Sequence, residues 1–140
     1  MKKNFKFICL TAILFLAFSS VSFGQVYKLK TTSFASMYKI NDYKWSDWGE
    51  WEETSLLITI DLNKERITMY SKETQVYDIV KDEGEEFDKD GDKTLSLYCV
   101  NEEGLTCRVR LVRLNSQSGK TQIYVDFNDF KFVYNYYSLD

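Results

Sequence analysis

The chain has 140 residues with 18 basic against 21 acidic side chains, a formal charge of −3 at neutral pH, and neither histidine nor proline. Without histidine, Ser-His-Asp and Cys-His machinery is excluded, and so are the commonest general base near neutral pH and a usual zinc ligand. The acidic balance argues against nucleic acid as a partner.

At the start of the chain, Lys2, Lys3 and Lys6 precede an apolar stretch from Phe7 to Phe18, and small or polar residues follow from Ser19 to Gln25. That is the order of a secretory signal: basic n-region, apolar h-region, small-x-small cleavage site. Ser22 and Gly24 suit the two small positions, so cleavage is expected between Gly24 and Gln25. The apolar run is well short of the roughly 20 residues that cross a bilayer core, and no membrane span is expected in the mature chain. Residues 1–24 are thus read as a signal peptide with its helix, and residues 25–140 as a single β-domain, large enough for one core. Loss of the three lysines leaves 15 basic and 21 acidic residues, a formal charge of −6.

Beyond the signal, period-2 alternation dominates and no stretch sustains a helical period. Val26 to Ile40 is the first strand candidate. The segment after it, Tyr43 to Trp51, carries Trp45, Trp48 and Trp51 in a W-x-x-W-x-x-W series. Exposed indoles beside acids suit a sugar-binding platform, because sugar rings stack their C–H faces on indoles and carboxylates accept hydroxyl hydrogen bonds. The competing reading is ordinary packing over one end of the domain. Leu56, Ile58, Ile60 and Leu62 then take one face against Leu57, Thr59 and Asp61. After Asn63 to Glu65 the pattern resumes with Ile67 and Met69, which reads as a hairpin.

Further strands are expected at Thr74–Val80, Thr94–Val100, Leu105–Leu114, Thr121–Phe127 and Phe130–Tyr137. Turn material separates them at Ser71–Glu73, Asp82–Asp92, Asn101–Gly104, Asn115–Gly119 and Asn128–Asp129. Seven or eight strands on short links, with no βαβ alternation, imply an all-β antiparallel meander. Its edges need closing or covering, which makes an up-and-down barrel or a compact sandwich the expected fold.

Two segments invite chemistry. Lys81 to Asp92 supplies seven carboxylates and could hold calcium through an oxygen-rich loop. It matches no complete EF-hand frame, since Lys93 falls where the turn glycine belongs, so a solvated acidic turn with Asp90-Gly91 at its tip is preferred. The same carboxylates could serve a carboxylate-based hydrolase as general acid and base for glycoside hydrolysis, but nothing in the sequence places two of them across a cleft, so no catalytic residues, metal ligands or cofactors are assigned. Cys99 and Cys107 flank Asn101-Glu102-Glu103-Gly104. A three-residue loop with Gly104 in the left-handed conformation would set Leu95 opposite Leu111, Leu97 opposite Val109 and Cys99 opposite Cys107, every pair inward. In an exported chain a structural Cys99–Cys107 disulfide is therefore expected; buried free thiols are the alternative.

The tryptophan series is similar to the motif of thrombospondin type 1 repeats, in which indoles stack between arginines. That resemblance implies Arg108, Arg110 and Arg113 as cation–π partners. A longer stretch resembles small exported Bacteroidota β-proteins of uncharacterised function. It comprises Trp45, Trp48, Trp51-Glu52, Leu57-Ile58-x-Ile60, Arg66-Ile67-x-x-Tyr70-Ser71 and Gln75-x-Tyr77-Asp78-Ile79. The second resemblance implies a periplasmic or secreted location and supplies no catalytic residues. The expected function is accordingly non-enzymatic binding of a small apolar or sugar ligand, a glycan or an envelope protein. A ligand-holding barrel would turn several of Tyr98, Phe127, Phe132, Tyr134 and Tyr136 into a cavity, whereas an interaction module would show them on an outer face.

Overall fold

The structure, a computed structural model, describes residues 25–139. The expected signal segment, with Gly24 on one side of the cleavage site, lies outside them. Ten strands follow: β1 (Val26–Asn41), β2 (Lys44–Trp45), β3 (Glu52–Glu53), β4 (Leu57–Asp61), β5 (Arg66–Met69), β6 (Gln75–Phe87), β7 (Lys93–Asn101), β8 (Thr106–Leu114), β9 (Lys120–Asp126) and β10 (Phe130–Ser138). A single 3-10 turn, Asn115–Gln117, joins β8 to β9.

Eight of these strands form a closed antiparallel barrel in the order β1, β4, β5, β6, β7, β8, β9, β10, with β10 returning to β1. The closure runs from Leu29 opposite Ser138 to Tyr38 opposite Phe130. Of the two architectures that alternation allows, the barrel is the one formed, and closure removes the edges that would otherwise template aggregation. A register shift between Thr31 and Ser33 bends the long β1. Its outer half can then pair with the short β3 and β2 after β4 has ended.

The alternation sorts side chains as the barrel requires. Ile58, Ile67, Met69, Val109, Ile123 and Val125 point inward and are fully buried. Eight strands leave an interior just wide enough for side chains to fill or for one small ligand. Several outward residues form ion pairs: Arg66 with Asp78, Arg108 with Glu83 and Arg110 with Asp126. The hydrogen bond from Arg108, with its charge, holds the Glu83 carboxyl below the usual carboxylate range.

The β7–β8 hairpin forms as the residues dictate. Gly104 has φ 84°, its N–H bonds the Asn101 carbonyl, and the Asn101 side chain accepts the N–H groups of Glu103 and Leu105. Leu95 faces Leu111, Leu97 faces Val109 and Cys99 faces Cys107. An added Cβ at Gly104 would meet no neighbour, so Gly104→Ala isolates the backbone term. It should cost about 1 kcal/mol, read as a lower denaturant midpoint with unchanged slope. An unaltered midpoint would contradict the left-handed assignment.

The expected Cys99–Cys107 disulfide is corrected: both are buried free thiols. The register explains why opposition does not become a bond. Asn101 donates its N–H to the Leu105 carbonyl, making that pair a hydrogen-bonded one, and two residues further along Cys99 and Cys107 occupy the same kind of site. Such sites hold opposite Cβ atoms toward the far end of about 4.5–5.5 Å, farther from each other than at the alternate pairs. A disulfide needs Cβ atoms about 3.8 Å apart.

The acidic segment also departs from expectation. Instead of a turn over Asp82–Asp92, β6 continues to Phe87, and only Asp88–Asp92 turns. Register shifts after Ile79 and Asp82 carry the strand onward, the second using Gly84 at φ 91°. From Lys81 onward β6 is exposed on both faces, so its carboxylates remain hydrated without leaving the ladder. Glu85 pairs with Lys93 across it at 2.6 Å.

Candidate functional site: an apolar cavity in one mouth of the barrel

Where β1 begins and β10 ends, the barrel is hollow. The cavity there has a volume of about 730 Å³. Tyr27 and Leu29 of β1, Ile60 of β4, Ile79 of β6, Leu95 and Leu97 of β7, Leu111 of β8 and Tyr136 of β10 supply its apolar wall. Leu29, Ile60 and Leu97 belong at the same time to the buried core, so the cavity ends on packed side chains. Alternation aims these residues inward; near the mouth no second layer covers them.

Polar groups sit only around the rim, from Glu65, Asp82, Arg113, Thr121 and Ser138. Arg113 is opposite Thr121 across β8 and β9, and Thr121 is opposite Tyr136 across β9 and β10. The three therefore form one row on the inner face. Thr121 Oγ1 donates to the Tyr136 carbonyl at 2.6 Å. Burial pushes the Tyr136 phenol above its ordinary range, and hydrogen bonding by Thr121 and the charge of Arg113 oppose that rise.

The opposite end is plugged. Phe127 and Phe130 stack with ring centroids 4.6 Å apart, Phe130 stacks on Phe132 at 6.2 Å, and Phe34 meets Tyr134 at 5.1 Å. A smaller hollow of about 460 Å³ lies over this plug, edged by Glu73, Gln75, Asn101, Glu102 and Glu103. Of the five aromatics expected in a ligand cavity, Tyr136 alone lines the large one. Phe127 and Phe132 line the smaller hollow, Tyr134 is in the core, and Tyr98 lies beside Arg108 in the ladder on the outward parity.

Trp45, Trp48 and Trp51 line neither cavity. They belong to the β1–β4 crossover, which is held to β1 by hydrogen bonds from Gly49 to Ser36 and from Thr54 to Thr32 and lies over the outer wall. Trp48 meets Tyr124 of β9 edge-on at 6.0 Å. Lys131 Nζ lies 4.7 Å from the Trp45 ring and Lys120 Nζ 5.9 Å from that of Trp51. The arginine ladder implied by the thrombospondin-like spacing is thus corrected. Lysines, not arginines, face the indoles, while Arg110 stacks 4.3 Å over Tyr124 and grips Asp126 through two hydrogen bonds. Arg108 is committed to Glu83 in the same two-pronged way.

In the acidic turn, Asp88, Asp90 and Asp92 bring one carboxylate oxygen each to within 4.8 Å of the others. Asp88 Oδ1 already accepts the N–H groups of Asp90 and Asp92, and the Asp92 carboxylate accepts the N–H and hydroxyl of Ser116. These bonds tie the turn to the 3-10 segment beside the cavity mouth.

Fold and site together define a small up-and-down β-barrel, open and apolar at one end and plugged by aromatics at the other. Comparison of the chain with protein-family models, curated proteins and solved structures gives no match. Among the described residues no helix is long and apolar enough to cross a membrane.

Proposed function

We propose that the mature domain is an exported, non-enzymatic binding barrel that holds a small, largely apolar molecule in its open mouth. The single observation that carries this reading is the cavity of about 730 Å³, within the range of small-ligand sites and built, as such sites are, from apolar walls with few polar groups. Eight-stranded barrels have room for one such molecule. The binding reading is preferred to catalysis because the wall offers aliphatic side chains and tyrosine, and the whole chain lacks histidine.

Export follows from the order of charges and apolar residues before Gln25, with periplasmic or secreted placement as its consequence. The outward ion pairs of β5 to β9 support an aqueous surrounding, since a membrane-spanning barrel turns an apolar band outward and keeps polar residues inside. A second reading, contact with a glycan or an envelope protein, draws on Trp48 and Trp51, which are 41% and 49% exposed on the outer wall.

The test is titration with the neutral fluorophore N-phenyl-1-naphthylamine. One saturable site per chain is expected, and Leu111→Trp, which fills the cavity, should weaken it by roughly tenfold or more, about 1.4 kcal/mol. Absence of saturable binding, or unchanged affinity in Leu111→Trp, would refute the cavity as the site.

A further inference from the structure

The two sides of the mouth differ in charge. Glu65 and Asp82 stand on the β5–β6 side and Arg113 on β8. Among the described residues the Arg113 guanidinium has no carboxylate partner: its one side-chain hydrogen bond is Nε to Asn115 Oδ1, at 3.2 Å, and the ion pairs engage Arg66, Lys93, Arg108 and Arg110 instead. Its place is nevertheless built. Asn115 is fixed by donating Nδ2 to the Gly91 carbonyl at 2.8 Å. Gly119, at φ 77°, leaves the space that the guanidinium occupies, since a Cβ there would lie 3.1 Å from Nη2. A planar fork with free Nη donors, anchored through Nε at the edge of an apolar cavity, matches a carboxylate presented from inside.

Resting on the binding reading above, we infer that the ligand is an amphiphile with one carboxylate head, its apolar chain among Leu95, Leu97 and Leu111 and its head on Arg113. Glu65 and Asp82 oppose any additional negative charge at the rim, which favours a monoanion. The exposed position of Arg113 keeps the head hydrated, so the carboxylate is never carried into the apolar interior.

The experiment is calorimetric titration of the exported chain with decanoate, 1-decanol and decylamine near neutral pH. These three probes share one tail and differ in head charge. Decanoate is expected to bind roughly tenfold tighter than 1-decanol, with decylamine weakest. Arg113→Gln should bring decanoate down to the level of 1-decanol and leave 1-decanol unchanged, and Arg113→Lys should keep part of the preference. Equal binding of decanoate and 1-decanol, or a preference for decylamine, would overturn the head-group assignment and leave the apolar cavity standing. Failure of all three probes to bind would overturn both.

Discussion

Replacing Ile123 with alanine is expected to lower stability by about 2–5 kcal/mol, the range for truncating a buried isoleucine, and to lower Tm by on the order of 10–20 °C. Ile123 is fully buried and lies opposite Leu111 on β8 and Tyr134 on β10. Both neighbouring strands are hydrogen-bonded around the barrel, so the wall cannot collapse into the space left. Leu62→Ala is the control: Leu62 is the first turn residue after β4, lines the open mouth and is 46% exposed, and its loss should cost under about 1 kcal/mol. Denaturant unfolding of the two variants compares them directly. Equal losses would contradict a barrel that is packed in its middle and hollow at one end.

The second large effect is alkaline destabilisation. Burial, reinforced by the neighbouring Cys107, pushes the Cys99 thiol up to about 12, and burial with the nearby Asp126 does the same for Cys107. Burial raises the Tyr77 phenol in the same direction. The folded chain therefore holds these protons more tightly than the unfolded chain. Their stabilisation is fully present below about pH 9 and is lost as pH rises toward about 12, by roughly 1.4 kcal/mol per pH unit for each thiol. Unfolding midpoints should thus fall steeply between about pH 9 and 10.5. A Cys99→Ala/Cys107→Ala variant, less stable at neutral pH because it loses two buried sulfurs, should show a shallower decline. Parallel declines would show that the thiols do not carry the effect.

The strand pattern was legible because alternation is enforced by one buried face. β8, β9 and β10 fall within a residue or two of the runs read from apolar spacing, and the β7–β8 register follows from Gly104 and the leucine pairs. The extension of β6 was hidden for the converse reason: a strand standing beyond the barrel buries neither face, so Glu83 to Glu86 carry the composition of a turn. Closure of β1 on β10 depends on contacts between the two ends of the chain, which local spacing does not encode.

The site was legible only in part. Leu95, Leu97 and Leu111 were identified as inward, yet whether an inward leucine meets a neighbour or a void depends on its height in the barrel. The tryptophans drew attention by rarity and spacing, but the crossover carries them outside. Arg113 was named as an indole partner only through the thrombospondin-like spacing of the tryptophans, although its alternation with Val109 and Leu111 already set it on the inner face. For the cysteines, opposition was readable and pairing chemistry was not, since the distinction lies in which cross-strand sites exchange hydrogen bonds.

The central claim is that the hollow mouth, and not the tryptophan-bearing outer wall, receives the ligand. Methyl-resolved NMR of residues 25–140, titrated with N-phenyl-1-naphthylamine, tests it most directly. The account predicts saturable shifts concentrated on Leu29, Ile60, Ile79, Leu95, Leu97 and Leu111, with the indole signals of Trp48 and Trp51 unmoved. Shifts centred on Trp48, Trp51 and Val133, which lies opposite the Tyr124 that Trp48 meets, with the mouth methyls silent, would contradict it.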